Sequence, residues 1–498
     1  MAVPTFTGER MVPYATDVAT DVQHWQRYVY FRPWYGGRNV VDAACGEGYG
    51  ANYASVLAKS VIGYDTCRET LACAKGNYPH VKFVETDVCG ADYSQADLVV
   101  SFETIEHLKD PRVFLRALSQ CPGTVVISTP NRALVSPGNG PGEKPLNKFH
   151  TVEWTPSEFE GLIREHFPQR RIRMLSQEAR WPFLIQEGLN DKALFSIAVI
   201  GELDLPRWPT LGIVIPTHNG ASDVQQCILG MTRSYPGRIH FAIVSNGCDK
   251  KNLALLRKTE SEIPYMVDVI REAENHGYAV GANIGLDHLS RMGEIDFYVV
   301  SNDDVVPAID CLSGLVVSMA VLQGLGKNPG VIGPVSDFVD GQQRVDIGRF
   351  SDPREMFRLA DLYCRDHHSS VSQTPRVRGL LMLIHPECLK RVGGFDPRFG
   401  LGNWEDDDHN VRTRLAGFTL WIADGSFLHH RGSVTFKRLN IDYEALLERN
   451  ERVFMEKWGL SVLDEALTVS EAPPGVELHL PLGKPYGKQP ETGNDRVE

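Results

Sequence analysis

The feature that most constrains the fold is a repeated alternation of short apolar runs, of strand length, with longer runs of helical character. The alternation occurs twice, first from residue 39 to about 200 and again from residue 211 onward. Strands that alternate with helices pair in parallel, and helices then cover both faces of the sheet. Between the two series lies LDLPRWPT, residues 203–210, whose two prolines indicate a linker. We therefore predict two α/β domains, over residues 1–202 and 211–468.

The composition is that of a globular protein with more than one core. A chain of 498 residues is too long for one ordinary core. The net charge of −12 argues against stable nucleic-acid binding. Because we find no apolar leader and no run of about 18 apolar residues, we expect a cytoplasmic protein that meets any membrane-bound substrate peripherally. The polar segment 469–498 is expected to be a mobile tail.

A loop of small residues follows the first predicted strand, in the run DAACGEGYG that begins at Asp42. Its glycines are spaced G-x-G-x-G, and glycine allows both positive φ and close approach of a ligand to the backbone. Asp65 ends the second predicted strand, where a carboxylate can accept hydrogen bonds from both ribose hydroxyls. Asp87 ends the third predicted strand, where it is placed to accept a nucleobase amine. Each element alone also fits a plain turn or a surface aspartate, but their order favours a nucleotide-type ligand.

Residues 8–175 resemble a class I S-adenosylmethionine-dependent methyltransferase, which implies a Rossmann-like fold. The resemblance rests on Gly8-Glu9-Arg10, the small-residue loop, Glu103 to Leu108 after the fourth strand and Ser128 to Asn131 after the fifth. Phe149-His150, with Glu153 and Trp154, is similar to members that act on small or sugar acceptors. The resemblance implies S-adenosylmethionine as cofactor, bound by Asp42, Ala44, Gly46, Gly48, Asp65, Asp87 and Glu103.

Methyl transfer to a hydroxyl group requires a base near the acceptor. His107 and His150 are the candidates, because a neutral imidazole can take a proton near pH 7. The alternative for each is a structural histidine that caps a turn or packs on the cofactor.

The second alternation carries polar residues at the ends of its strands. Thr217 to Asn219 follow the apolar run that begins at Leu211, and Asn302-Asp303-Asp304 follow the run Phe297 to Val300. Ligands bind at the carboxyl ends of strands in open α/β sheets. A hard cation such as Mg²⁺ or Mn²⁺ prefers carboxylates together with phosphate oxygens. The alternative for the aspartate pair is an ordinary turn after a strand.

Residues 211–438 resemble a family 2 glycosyltransferase of GT-A fold, a nucleotide-diphospho-sugar transferase fold, and are most similar to its rhamnosyltransferase-like branch. The resemblance also rests on Gly393 to Asp396, Glu405 to Asp408, Arg412 and His430. It implies that Asp406 is the catalytic base with Glu405 beside it, and that Asp304 and His430 hold a divalent metal, Mn or Mg. The implied nucleotide-sugar contacts are Pro216, Thr217, Asn219, Asn246, Asn275, Gly277, Asn283, Asn302, Asp303 and Arg378.

Three features of this second half leave alternatives. Ser245 stands where the family usually has an acid, with Asp249 four residues later, so the donor nucleotide and sugar stay open. Asp407 and Asp408 also fit a solvated helix start, since acids in a first turn favour the helix dipole. Trp404 fits either stacking on an acceptor sugar or ordinary packing.

The two resemblances together imply a bifunctional enzyme of polysaccharide or glycan biosynthesis. It would transfer a sugar from a nucleotide-sugar donor, with inversion and a metal, and a methyl group to a sugar hydroxyl. The expected acceptor is a glycan or a lipid-linked glycan, and the oligomeric state stays open. The alternatives are the same activities on a nucleobase, as in phage DNA modification, or on a protein, or one half that serves as a non-catalytic binding module.

Overall fold

The computed structural model describes residues 11–12, 17–263, 266–432, 442–461 and 468–483. The first domain contains an eight-stranded sheet. Its strands are β1 (Asn39–Ala43), β2 (Ser60–Asp65), β3 (Lys82–Glu85), β4 (Leu98–Phe102), β5 (Thr124–Pro130), β6 (Ile172–Glu178), β7 (Ile185–Glu187) and β8 (Ala193–Ile200). The order across the sheet is β3-β2-β1-β4-β5-β8-β6-β7. Strands β1 to β5 pair in parallel, and β6 to β8 extend the sheet in antiparallel fashion.

Helices cover both faces of this sheet, as the alternation predicts. They are α1 (Val18–Tyr30), α2 (Arg32–Tyr35), α3 (Tyr49–Ser55), α4 (Arg68–Asn77), α5 (Pro111–Leu118), α6 (Arg132–Val135) and α7 (Pro156–His166), with a 3-10 turn at Ile105–His107. Because side chains alternate along a strand, Leu98 and Val100 pack with the cluster of α1 and α3. Val99 packs on the opposite face, with α5 and α7. The predicted α/β class and Rossmann-like core are confirmed.

Helix α1 was not expected from the sequence. Asp17 caps it by accepting a hydrogen bond from the Thr20 amide at 3.0 Å. Val22, Trp25 and Val29, which lie three and four positions apart, form its buried face. The helix therefore follows ordinary capping and periodicity rules. The motif Gly8-Glu9-Arg10, which precedes it, lies outside the described residues.

The second domain contains a nine-stranded sheet. Its strands are β9 (Leu211–Thr217), β10 (Ile239–Asn246), β11 (Val267–Glu272), β12 (Phe297–Ser301), β13 (Val305–Pro307), β14 (Pro329–Ser336), β15 (Val371–Thr374), β16 (Leu381–Ile384) and β17 (Thr419–His430). The order is β11-β10-β9-β12-β16-β14-β17-β13, with β15 paired to β17. Strands β9 to β12 are parallel, whereas β16 runs antiparallel to β12 and β14. The carboxyl ends of β9, β10 and β12 therefore meet at one edge.

Eight helices of the described residues belong to this domain. They are α8 (Ala221–Arg233), α9 (Lys250–Glu262), α10 (Tyr278–Ser290), α11 (Cys311–Gly324), α12 (Pro353–His367), α13 (Pro386–Val392), α14 (Glu405–Leu415) and α15 (Tyr443–Trp458), with 3-10 turns at Gly341–Gln343 and Pro397–Phe399. In the part of the chain that the structure describes, no helix is both long and apolar enough to cross a membrane.

The described part of the expected tail, residues 469–483, is packed on the second domain. The Gly394 amide donates to the Leu480 carbonyl at 2.8 Å, and the Leu480 amide donates to Val392 at 3.0 Å. Leu480 is buried. This segment therefore differs from the expected mobile tail because its backbone pairs with the chain after α13. Residues 484–498 of the expected tail lie outside the described residues.

Helices α1 and α2 of the first domain also contact the second domain. The buried Gln26 side chain donates to the carbonyls of Thr232 at 2.6 Å and Tyr235 at 2.9 Å, at the end of α8. The Arg32 guanidinium donates to both oxygens of Asp310, at 2.5 and 2.7 Å. Residues 201–210 connect β8 to β9 beside this contact. The two domains thus share a polar, buried interface.

Candidate active sites

A cavity of about 730 Å³ lies at the carboxyl ends of β9, β10 and β12. Parallel strands present their last residues at one edge of a sheet, which is why distant sequence motifs meet there. Eleven residues nominated from the sequence line it, namely Pro216, Thr217, Asn246, Asn275, Asn302, Asp303, Asp304, Arg378, Glu405, Asp406 and His430.

The two aspartates Asp303 and Asp304 have different partners. The Thr217 hydroxyl donates to the Asp303 carboxylate at 2.6 Å, which ties β9 to the end of β12. His430 Nε2 lies 3.2 Å from an oxygen of Asp304, because β13 and β17 pair antiparallel and set Val305 opposite His430. Burial lowers the pKa of His430, but the hydrogen bond and charge of Asp304 raise it by more, so the net shift is upward. Two ligand atoms of the kinds that bind divalent cations therefore converge, and these residues fit the metal that the resemblance implies.

The acidic run Glu405 to Asp408 lies in the first turn of α14, and its side chains contact different partners. The Asp406 carboxylate lines the cavity and accepts the amides of Gly379 at 2.8 Å and Asp407 at 2.9 Å. Asp407 accepts hydrogen bonds from Arg376 at 2.7 Å and Arg378 at 3.2 Å. Asp406 thus faces the cavity with a fixed orientation, whereas Asp407 is buried, contrary to the alternative of a solvated helix start, and forms ion pairs with two arginines.

Asp408 turns away from the cavity into the protein interior. It pairs with Arg412 at 2.8 Å and with Lys457 of α15 at 2.5 Å, and it accepts the Trp458 indole N–H at 3.1 Å. The side chains of Asp408 and Arg412 are fully buried. The alternative of a solvated helix start is therefore wrong for Asp408, because an internal ion pair takes up its charge.

Burial gives the acids unequal proton affinities. Burial, and then the charge of Asp406, raise the pKa of Glu405 well above its usual range. Burial and Asp406 raise the pKa of Asp407 to about 6, although Arg376 opposes the shift. Burial therefore favours the neutral form of Glu405, whereas two backbone N–H groups hold the Asp406 carboxylate at the cavity.

Three residues expected to touch the nucleotide-sugar do not line the cavity. Asn283 is fully buried, where it accepts the Phe395 amide at 2.7 Å and donates to the Phe395 carbonyl at 2.8 Å. Asn219 accepts the Asp249 amide at 2.8 Å. The Gly277 carbonyl accepts the Asn246 side chain at 2.9 Å. All three hold loops in place around the cavity.

Two further nominated side chains have protein partners. Arg378 lines the cavity, but its guanidinium also pairs with Asp340 as well as with Asp407. The Trp404 ring packs 5.1 Å from the ring of Phe454 while it lines the cavity, so packing accounts for one of its faces.

Several lining residues were missed from the sequence. Arg376, two positions before Arg378, also lines the cavity, and its guanidinium carbon lies 5.8 Å from the Trp404 ring. The period of two between the arginines was the available signal. Tyr278 lines the cavity as well and donates to the Gly379 carbonyl at 3.3 Å.

The small-residue loop of the first domain adopts the backbone expected of it. Ala44, Gly46 and Gly48 all have positive φ, of 64°, 51° and 78°. Among the described residues, no atom lies within 4 Å of the place where a Gly46 side chain would begin. Asp65 accepts the Gly46 amide at 3.0 Å and the Cys67 amide at 2.8 Å. The loop therefore offers room at its backbone beside an oriented carboxylate, which fits an adenosyl cofactor.

Helix α1 supplies side chains to this first site. The Tyr28 hydroxyl lies 3.2 and 3.3 Å from the Asp42 carboxylate oxygens. Burial raises the pKa of Asp42 to about 7; the Tyr28 hydrogen bond opposes the shift and the charge of Asp65 adds to it. Glu103 pairs with Arg27 and lies 3.2 Å from His24. These α1 residues were missed because the helix was missed.

Three nominated residues of the first site differ in setting from the rest. Asp87 is exposed and accepts the Cys89 amide at 2.9 Å. The rings of His107 and His150 lie 4.9 Å apart, beyond the end of β4. The two histidines are therefore neighbours in space, although 43 positions separate them in the sequence.

The chain folds into two α/β domains, each with candidate site residues at the carboxyl ends of its parallel strands. Residues 41–124 match the family model described as a methyltransferase domain. Residues 207–444 match the family model described as glycosyltransferase like family 2. The chain is therefore a fusion of an N-terminal methyltransferase domain with a C-terminal family 2 glycosyltransferase domain, as the two resemblances predicted.

Curated relatives match the first domain. A probable S-adenosylmethionine-dependent methyltransferase of Mycobacterium tuberculosis is 36% identical over 171 residues, which cover 32% of this chain and 60% of that protein. A similarly named protein of Mycolicibacterium smegmatis is 38% identical over 169 residues, covering 32% of this chain and 62% of that protein. The chain thus spans about three fifths of the length of these relatives.

Two solved transferase structures are similar to parts of the chain. A mannosyltransferase of Pyrobaculum calidifontis in complex with GDP-Man and Mn²⁺ has a TM-score of 0.34 at 17% identity, covering 54% of this chain and 67% of that one. An S-adenosylmethionine-dependent methyltransferase of Mesorhizobium loti has a TM-score of 0.29 at 16% identity, covering 37% of this chain and 100% of that one.

Proposed function

We propose that the second domain transfers a sugar from a nucleotide-diphosphate donor to an acceptor hydroxyl, with inversion. The observation that carries this proposal is the meeting of Asp406, Asp304 and His430 in one cavity. Asp406 takes the proton of the acceptor hydroxyl as its oxygen attacks the anomeric carbon. Its two backbone donors fix the carboxylate, so little reorganisation precedes the reaction.

Asp304 and His430 would hold a divalent ion, Mn²⁺ or Mg²⁺. When bound, such an ion neutralises the charge that develops on the departing nucleoside diphosphate. Asp303 positions the neighbouring strand end through Thr217. Arg376 and Arg378 border the same cavity, although Asp407 already pairs with both.

A donor screen tests this proposal. Purified full-length chain is mixed with single nucleotide sugars and Mn²⁺, and the released nucleoside diphosphate is measured. We expect turnover with one donor class, and Asp406→Asn should lower it by about 10²- to 10⁴-fold, the usual contribution of a general base. The matched control is Asp407→Asn, next along the same helix turn. Near-normal turnover in Asp406→Asn, with an intact fold, would show that another group is the base.

We propose that the first domain binds S-adenosylmethionine and methylates a hydroxyl group, in the leading case on a sugar. The proposal rests on the backbone of the small-residue loop, on Asp42 and Asp65 beside it, and on the adjacent pair His107 and His150. Asp42 and the loop would hold the amino-acid end of the cofactor, and Asp65 the ribose. The histidines would take part in deprotonating the acceptor.

Calorimetric titration of the full chain with S-adenosylmethionine tests the cofactor. We expect stoichiometric binding that Asp65→Asn weakens by about tenfold or more, since hydrogen bonds to charged groups are worth about 1.5–3 kcal/mol. The control is Asp204→Asn, on an exposed carboxylate of the linker. A chain that binds neither cofactor nor donor would support the non-catalytic alternative.

The two activities together fit the decoration or capping of a growing glycan. The acceptors of both reactions would then be carbohydrates, free or linked to a lipid. Once the donor is known, methylation of the glycosylated product and of the unmodified acceptor can be compared. A preference for one of them would order the two reactions.

A further inference from the structure

Three potential metal ligands converge beyond the end of β4 in the first domain. The 3-10 turn Ile105–His107 presents Glu106 and His107, and the chain before α7 brings His150 to them. One ligand atom from each of these residues lies within 4.8 Å of the other two. Neither the family resemblance nor the proposed cofactor requires a metal at this place.

Hydrogen bonds set the tautomers of both histidines. His150 Nδ1 lies 2.6 Å from a carboxylate oxygen of Glu153, so in the neutral ring Nδ1 carries the proton and Nε2 the lone pair. Asn147 donates to that Nε2 at 2.9 Å. His107 Nδ1 lies 3.1 Å from the Phe149 carbonyl, which likewise leaves the lone pair on Nε2. Both rings thus present their basic nitrogen, as metal-bound histidines do when a carboxylate or carbonyl holds the other N–H.

Packing fixes the carboxylate of the cluster. Glu106 is fully buried and accepts the Thr129 hydroxyl at 3.1 Å. Its backbone carbonyl accepts the Thr151 amide at 2.8 Å, which ties the histidine-bearing segment to the turn. Glu153 is buried as well. Two buried carboxylates beside two imidazole rings make a set of groups with which a dication would pair.

We propose that Glu106, His107 and His150 bind a divalent transition-metal ion, with Glu153 as the partner that orients His150. Imidazole ligands favour ions such as Mn²⁺, Fe²⁺, Co²⁺ or Zn²⁺ over Ca²⁺ and Mg²⁺, which prefer oxygen. Three protein ligands leave coordination positions for a substrate oxygen. A metal would displace the Asn147 contact at His150 Nε2.

The site assigns a more specific chemistry to the proposed methyl transfer, on which this part of the inference rests. An acceptor hydroxyl bound to the ion is acidified, and its proton leaves to solvent. The oxygen then forms a bond to the methyl carbon as the sulfur–methyl bond breaks, and the sulfonium becomes the neutral thioether of S-adenosylhomocysteine. In this scheme the part that the histidines take in deprotonating the acceptor is that of metal ligands, in place of general bases.

The test measures metal binding to the full chain and does not depend on enzyme activity. The protein carries Asp304→Asn, which weakens the separate site proposed in the second domain, and is stripped with a chelator. Co²⁺ is then titrated in, with visible absorbance as the reporter of imidazole coordination. We expect one Co²⁺ per chain with such absorbance. His107→Gln and His150→Gln should abolish the signal, and Glu153→Gln should weaken binding by about 10- to 100-fold, as outer partners of metal ligands do.

The controls separate this site from the proposed function. His166→Gln removes a histidine of α7 whose ring bonds to the Leu162 carbonyl, and it should leave the Co²⁺ signal unchanged. S-adenosylhomocysteine binding is measured in every variant as a check of fold and cofactor site. Unchanged Co²⁺ affinity in both glutamine variants, or no Co²⁺ signal while S-adenosylhomocysteine binds normally, would overturn the metal site and leave methyl transfer standing. Absent S-adenosylhomocysteine binding with a normal Co²⁺ signal would instead overturn the proposed methyltransferase function.

Discussion

Replacing Asp408 with Asn should destabilise the second domain strongly, although this residue belongs to the same acidic run as the proposed base. In the wild type, Asp408 and Asp396 face Arg412 and Lys457 in the interior. The exposed fractions of the Asp408, Arg412 and Lys457 side chains are 0%, 0% and 2%. The substitution keeps the shape of the side chain but leaves two buried cations with one buried carboxylate.

The loss of stability depends on the hydrogen-bond and ion-pair partners that Arg412 and Lys457 keep in the variant. Breaking a buried pair by removing one partner costs about 3–5 kcal/mol. Lys457 keeps Asp396 at 2.7 Å, and Arg412 keeps the Val392 and Gly394 carbonyls at 2.9 and 2.7 Å. We therefore expect about 3 kcal/mol, at the low end of that range. For a domain of this size the loss corresponds to a fall of about 6–12 °C in Tm.

Differential scanning calorimetry measures this loss, and the neighbour provides the control. Asp407→Asn changes the same chemical group in the same helix turn, but Arg376 and Arg378 are partly exposed and can be hydrated. Its own ionisation opposes folding, since its pKa is raised to about 6. We expect a shift of less than about 1 kcal/mol for this control. Equal losses in the Asp407 and Asp408 variants would refute the assignment of Asp408 to an internal ion pair.

Three further predictions concern the sites and the interface. Glu405→Gln should keep most of the glycosyl transfer that Asp406→Asn loses, because burial raises the pKa of Glu405 and so favours the neutral carboxyl that glutamine resembles; comparable losses in turnover assays would contradict this. Affinity for S-adenosylmethionine should rise from pH 6 to pH 8, because the Asp42 carboxyl, whose pKa is about 7, attracts the cofactor's ammonium only when ionised. Calorimetric titration should show this rise, and Asp42→Asn should flatten it. Asp310→Asn should cost about 3 kcal/mol in thermal unfolding, because its arginine partner on α2 is buried. Arg171→Ala, which breaks an exposed pair, should cost less than about 1 kcal/mol.

The parallel strands of both sheets were predictable because strands buried on both faces are continuous apolar runs. Strands β1 to β5 and β9 to β12 fall within the two predicted series, which run from residue 39 to about 200 and from residue 211 onward. Strands β7, β13, β14, β15 and β17 were not predicted. Strands β7, β13 and β15 have only three or four residues, and the place of all five depends on pairing with distant partners, which local periodicity does not record.

The candidate sites were predictable where a motif ends a strand, and less so where tertiary packing assigns the partners. Asp304 and His430 were nominated from different motifs and meet at 3.2 Å. The sequence could not separate the buried Asp408 from Asp407, because the lysine that takes up its charge lies on α15, far along the chain. Asn283 was nominated as a ligand contact, but the loop after α13 occupies both of its polar atoms.

Both halves of the chain depend on contacts that helix α1 makes. Its Tyr28 contacts Asp42 in the first site, while Gln26 and Asp21 bond to the end of α8 in the second domain. A cut at residues 203–210 would therefore expose buried charge on both pieces and weaken the support of the first site. Exchange of either domain for a homologue, by recombination or by design, would need to carry the complementary interface residues with it. The two domains are thus not independent units joined only by a linker, and engineering of one must preserve its contact with the other.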